Sequence, residues 1–318
     1  MLSRTADSLY WMSRYLERAE HTARMTNVNL NFMLEDTTSS NEDRLKRLLK
    51  VLYCPPPDCD PDDIKTILSK IVFDRSHPNS ILSLISIARE NARQVREQVS
   101  TELWESLNRF FLEFRELSVS GNHQVLEPDL YKRVVESSFL LQGITDATLS
   151  HEEGWQFIRL GKYLERAEAT TEMLKVYLQA YRLDRTADAA QQYLEKVEIL
   201  KYTSAFEPYC KLYTADLRFN WIAEFLILNP DFPHSVCFSI RQVSYSLTDI
   251  AMNSGRPLSL ALLRLSGKIK AMLDYSSADE ILEIGIEKFL VDLEKSCAAI
   301  HTEMDELYIQ YSIGTELR

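Results

Sequence analysis

The hexapeptide Tyr15-Leu16-Glu17-Arg18-Ala19-Glu20 returns, residue for residue, as Tyr163-Leu164-Glu165-Arg166-Ala167-Glu168. An identical run of this length inside one chain points to two related halves. Around the first copy, Leu9, Met12, Leu16, Ala19 and Ala23 recur at three- and four-residue steps. That period gathers side chains on one face of an α-helix. Phe157, Leu160, Leu164, Ala167 and Thr171 repeat the stripe around the second copy. A half-buried strand would alternate at every second residue, and no segment sustains that pattern. Both copies therefore read as mid-helix, in pseudo-repeat helices near 4–34 and 155–183. The small Ala19 and Ala167 would let another helix come close.

The opposite face of each helix is charged. The first presents Arg14, Glu17, Arg18, His21 and Arg24 next to Tyr10 and Trp11; the second presents Arg159, Lys162, Glu165 and Arg166. A third stretch, Arg89-Glu90-Asn91-Ala92-Arg93, has its arginines away from a stripe of Ile85, Ala88, Ala92, Val95 and Val99. Spacings such as Arg14 to Glu17 and Glu20 to Arg24 suit ion pairs. On an exposed face each pair contributes only about 0.3–0.5 kcal/mol. Buried between helices, a Glu–Arg network is costly to assemble, and removal of one partner costs about 3–5 kcal/mol. Two readings stay open. The faces clamp helices together, or they line a pocket. In the pocket, Arg14, Arg18, Arg89, Arg93 and Arg166 bind carboxylate or phosphate, with Glu90 and Trp11 beside them. Glu17 or Glu165 then serves as acid or base.

Composition extends the helical reading to the whole chain. Its 318 residues include 8 Gly and 10 Pro, well below the usual shares of about 7% and 5%. The expectation is an all-α fold: one helical-bundle domain over 1–318, of about ten helices. Asp60-Pro61 reads as the cap of a helix to about Phe73. Further helices are expected over Ser80–Val99, Thr101–Leu117 with Ser100 as cap, Pro208–Leu228, Pro233–Asn253 and Ala278–Ile309. Ser118–Glu127 reads as a polar loop. Gly161, one turn before Glu165, marks a close approach of backbone or ligand.

Several function classes are excluded at this level. Lys and Arg total 36 against 47 Asp and Glu, a net charge of −11, the wrong field for phosphate-neutralising contact with nucleic acid or for an anionic membrane surface. No apolar run approaches the roughly 18 residues of a transmembrane helix, and charges at Arg4, Asp7, Arg14, Glu17 and Arg18 break any secretory signal. Five scattered cysteines, Cys54, Cys59, Cys210, Cys237 and Cys297, suit a reducing, cytoplasmic setting. No Gly-rich nucleotide loop occurs, so ATP and Mg would act only through a partner. Cys54 and Cys59 lack the other ligands that zinc requires, and the Glu-x-x-His pairs of a di-metal bundle are missing, so no metal site is expected.

The opening Met1–Glu20, with Ala88–Trp104, Leu141–Glu168 and Asn229–Ser235, resembles the alpha-E family, named for an all-helical domain with a Glu-Arg motif. The resemblance covers essentially the whole chain, and the motif maps onto Glu17, Arg18, Glu165 and Arg166, with Arg89, Glu90 and Arg93 added by the third block. It implies association with circularly permuted ATP-grasp ligases and transglutaminase-like peptidases, hence peptide or amide-bond modification in bacteria. Three roles follow: helical partner of an ATP-grasp amide ligase, stand-alone enzyme acting on a peptide or carboxylate, or structural scaffold.

Overall fold

Helices account for all the regular structure among the described residues, which in this computed structural model are 3–35, 41–55, 63–120, 122–183, 189–253 and 260–306. There are fourteen α-helices: α1 (Ser3–Glu35), α2 (Asn41–Val51), α3 (Ile64–Phe73), α4 (Ile81–Gln94), α5 (Thr101–Ser120), α6 (Pro128–Thr148), α7 (Glu153–Leu183), α8 (Ala189–Tyr202), α9 (Phe206–Tyr213), α10 (Phe219–Leu228), α11 (Val236–Asn253), α12 (Leu260–Tyr275), α13 (Ala278–Ile284) and α14 (Ile286–Asp305).

The described residues group into two compact units. One comprises the residues up to Ser13 together with those from His151 onward; the other comprises Arg14–Ser150. Each has its own core. In the first, α7 lies along α11 and against α14, and α12 packs on α11 and α14. Phe157, Leu160, Leu164 and Ala167, the stripe read from the sequence, are fully buried there. In the second, α4 packs on α3 and α5, and α5 on α6. Ile85, Ala88, Ala92, Val95 and Val99 are its buried stripe.

The helix count exceeds the expected ten; two long segments are each split into two helices, and a third ends early. Pro208–Leu228 is not one helix: α9 ends at Tyr213, where Thr214 takes φ 59°, and the Tyr209 hydroxyl ties the connection by donating to Asp216 O at 2.8 Å. The last segment divides at Gly285, whose φ of +92° is costly for any residue with a Cβ. Ser277 opens α13 there with a reciprocal capping box to Glu280. The third break is at Gln94, where α4 gives way to a 3-10 turn, Arg96–Gln98, rather than continuing to Val99.

Other boundaries move by a turn or less. Ser100 does cap α5, accepting from Leu103 N at 3.1 Å. The expected loop at Ser118 begins later: α5 runs through Ser120, and Asn122–Leu126 is a 3-10 turn held by the Tyr131 hydroxyl donating to Val125 O at 2.6 Å. The expected cap at Asp60-Pro61 lies outside the described residues; α3 is capped by Asp63, which accepts from Thr66 N at 3.0 Å. Pro233 precedes α11 by a turn, and the helix starts after Ser235.

Candidate functional site

In the Arg14–Ser150 unit, the charged face of α1 is largely buried: Glu17 is 3% exposed, Arg14 4% and Glu20 2%. Gln142 Nε2 of α6 donates to Glu17 Oε2 at 3.5 Å. Glu20 pairs with Arg24 one turn on, and the Arg24 guanidinium lies 5.6 Å from the Phe139 ring centroid. Half-buried Arg18 points at the turn before α4 and donates Nη1 to Asn79 Oδ1 at 3.2 Å. That turn is built from its own side chains. Asp74 Oδ1 accepts from Ser76 N at 2.8 Å and from Ser76 Oγ at 2.7 Å, which holds the Asp74 carboxyl below its ordinary pKa. Asn79 N donates to His77 Nδ1 at 3.1 Å, and Ser80 Oγ accepts from Ser83 N at 3.2 Å to cap α4.

The Arg89–Arg93 block divides between two surroundings. Glu90 and Arg93 form an exposed ion pair at 2.6 Å, and Arg93 holds the Glu90 carboxyl below its usual range. Arg89 turns to α5, where Nε donates to Asn108 Oδ1 at 2.7 Å. Its guanidinium lies 5.5 Å from the Trp104 centroid and 4.9 Å from that of Phe111.

The second motif repeats the first arrangement in the other unit. Glu165 and Arg166 are 5% and 6% exposed. Arg166 Nη1 donates to Pro233 O at 3.3 Å, and Thr170 Oγ1 donates to His234 O at 3.1 Å. Here too a polar residue nucleates the turn: Asn229 Oδ1 accepts from Asp231 N and Phe232 N, each at 2.9 Å. Ser235 then donates to Asn229 O and caps α11 by accepting from Phe238 N at 3.0 Å. In both units the motif arginine anchors a proline-containing turn whose serine starts the next packed helix. The sequence marks His77-Pro78-Asn79 and Asn229–Pro233 as helix boundaries, but not the arginine ties to them, though a shared Pro-x-Ser (Pro78-Asn79-Ser80 and Pro233-His234-Ser235) was there to be read.

Of the candidate residues, Arg14, Glu17, Arg18, Arg89, Glu90 and Arg93 fall in one unit and Trp11, Glu165 and Arg166 in the other. Trp11 belongs to a small cluster that sequence reasoning missed. Tyr10 Oη and His301 Nδ1 share a hydrogen bond at 3.0 Å, and Trp11 meets the His301 ring edge-on at 5.2 Å. Burial, reinforced by the Asp305 charge and opposed by a hydrogen bond from Trp11, raises Asp7 to about 6. The hollow these residues surround is only about 10 Å³, room for a water and not for an organic substrate. No local signal announces it, since its halves come from opposite ends of the chain. Gly161 marks an approach of backbone: a Cβ there would overlap Tyr10 O and Ser13 Oγ of α1. Among the described residues, no group of His, Cys, Asp and Glu could hold a metal ion, and no helix is long and apolar enough to cross a membrane.

The model of the Alpha-E family, described as a predicted alpha-helical domain with a conserved ER motif, matches residues 1–309. An uncharacterized protein of Mycobacterium bovis and one of Mycobacterium tuberculosis are each 22% identical over 330 residues, and one from another M. tuberculosis strain is 21% identical. Each match covers 96% of this chain but 36% of the relative, so the chain spans about a third of the length of the curated relatives. No solved structure matches.

Proposed function

The chain belongs to the Alpha-E family, and from that premise we propose that it is a helical partner of an ATP-grasp amide ligase, in a peptide-modifying system. The observation that carries this reading is the reach of the match. The helical region accounts for 36% of each mycobacterial relative, so there it is joined to further polypeptide, as a module that works beside another would be. Cofactor chemistry, ATP with Mg, belongs to the ligase on this reading. The setting is cytoplasmic: Cys54, Cys210, Cys237 and Cys297 are in no disulfide, in keeping with a reducing compartment.

The motif residues then act by building the module. Arg18 and Arg166 hold helix-starting turns. Glu17 and Glu165, at 3% and 5% exposure, are badly placed to reach a substrate, which disfavours the stand-alone enzyme with these glutamates as acid and base. Co-expression with the ligase, capture of the tagged chain, and a ligase assay with and without it test the proposal. Co-purification and loss of ligase turnover without the chain are expected. Full turnover by the ligase alone would overturn it.

A further inference from the structure

A groove of about 360 Å³ opens on the Arg14–Ser150 unit, where the turn held by Arg18 meets α4 and α5. Pro78, Leu82, Ile87 and Phe111 give it apolar walls, and Arg75 is the charged side chain on its lining. Phe111 carries two more cations, the Arg89 guanidinium 4.9 Å and the Arg115 guanidinium 5.6 Å from its centroid. The pattern continues beyond the groove: Arg89 also lies 5.5 Å over Trp104, and Arg96 sits 5.8 Å over the same ring. Arg115, Phe111, Arg89, Trp104 and Arg96 thus alternate cation and ring in one stripe.

None of Arg75, Arg89, Arg96 and Arg115 is in an ion pair among the described residues; the neighbouring Glu90 is engaged by Arg93. In a chain of net charge −11, four guanidinium groups outside any ion pair, one on the groove and three along the stripe beside it, are a local concentration of positive charge, although Arg89 also acts on the Glu90 carboxyl. Charge complementarity calls for an anion. The apolar walls and the length of the stripe call for an extended chain with side chains to bury, where a compact phosphate would leave the rings uncovered. We propose that this groove docks a peptide segment of a protein partner, one carrying carboxylates beside aliphatic or aromatic side chains. Arg75 takes a carboxylate in bidentate fashion, the walls take the apolar side chain beside it, and the stripe receives the next carboxylates. The inference stands apart from the ligase reading, because the acidic segment can belong to a partner of any activity.

The test uses the full chain and a fluorescein-labelled peptide alternating Glu with Leu and Phe, followed by anisotropy. The controls are the same peptide with Gln for Glu and a labelled single-stranded oligonucleotide. Saturable binding of the acidic peptide is expected, at least about tenfold weaker for the Gln control, equivalent to about 1.4 kcal/mol. Arg75→Glu and Arg115→Glu replace exposed side chains and leave the helices intact by circular dichroism; each weakens binding by about tenfold or more, the size of a lost charge pair. Lack of saturable binding, equal binding of the Gln peptide, indifference to both charge reversals, or tighter binding of the oligonucleotide would each overturn the proposal. None of these results bears on whether the ligase needs the chain.

Discussion

Arg18 donates to Asn79 Oδ1 at 3.2 Å, across 61 residues of sequence, and so ties the Glu-Arg helix to the turn from which Ser80 launches α4. Arg166 makes the equivalent tie to Pro233 O at 3.3 Å, ahead of Ser235 and α11. The duplicated hexapeptide is therefore a duplicated structural device. A guanidinium suits it, since several donors on a planar, permanently charged group can serve a carbonyl or amide oxygen in a buried setting without risk of deprotonation.

The two ties differ in burial, which orders their energetic weight. Arg166 is 6% exposed, and Arg166→Ala would leave a backbone carbonyl without its charged donor. Hydrogen bonds to charged groups contribute about 1.5–3 kcal/mol, so a loss of about 2 kcal/mol is expected. Arg18 is half-buried and its acceptor is a side chain that can turn to water, so Arg18→Ala should cost about 1 kcal/mol. Urea unfolding, read as midpoint at constant slope, checks both. A larger loss at Arg18 than at Arg166 would contradict the anchoring role.

Gly161 offers a test by sign. Alanine inside a helix is ordinarily better than glycine by about 1 kcal/mol, and Gly143 and Gly267, with nothing within 4 Å of an added Cβ, should gain stability as alanine. At Gly161 the Cβ would overlap Tyr10 O and Ser13 Oγ and stand 3.1 Å from Tyr10 C. Backbone cannot swing aside, so Gly161→Ala should lose about 1–3 kcal/mol, the range of overpacking. Thermal unfolding of the three single variants measures the contrast. A stabilised Gly161→Ala would mean that α1 and α7 do not approach as described.

The helices were legible because their cause is local: Ile85, Ala88 and Ala92 lie on one face of α4 by the helical period and are buried, whereas Val95 and Val99, also buried, fall past its end. The Glu20–Arg24 ion pair was legible for the same reason, as a four-residue spacing. Gly285 and Thr214 were not, because their breaks rest on single positive φ angles that leave no hydrophobic trace. Nor was the partner of Arg18 or Arg166, since each acceptor is supplied by a distant turn. His301 lies 291 residues from Tyr10, and one histidine in a helix carries no mark of what it will face.

The exposed Glu90–Arg93 pair is the negative control among the charged residues. At 2.6 Å its geometry is good, yet both side chains are in water, which screens the pair and leaves them an entropic cost on pairing. Arg93→Ala should leave the urea midpoint unchanged within scatter, at low salt and high. A marked loss would show that the third arginine block belongs to a structural network like that of Arg166.

Asp7 makes stability depend on pH in a direction opposite to that of a salt-bridged carboxylate. Burial first, and the Asp305 charge second, lift it from 3.8 to about 6, against a hydrogen bond from Trp11. His301 on α14 and Tyr10 on α1 complete its surroundings. The folded chain therefore holds a proton at Asp7 between pH 3.8 and about 6 that the unfolded chain releases. With more protons bound in the native state, stability falls as pH rises through that window and is level above it. Asp7→Asn removes the penalty, so the variant should melt higher than the parent at pH 7, and the difference should shrink as pH falls from about 6 to 3.8. Because the other titrating groups are common to both proteins, the difference curve isolates Asp7. Asp305→Asn should move the melting temperature the same way by less, since burial is the larger cause. A carboxyl carbon NMR titration placing Asp7 near 3.8, or a difference curve flat across the window, would remove the assignment.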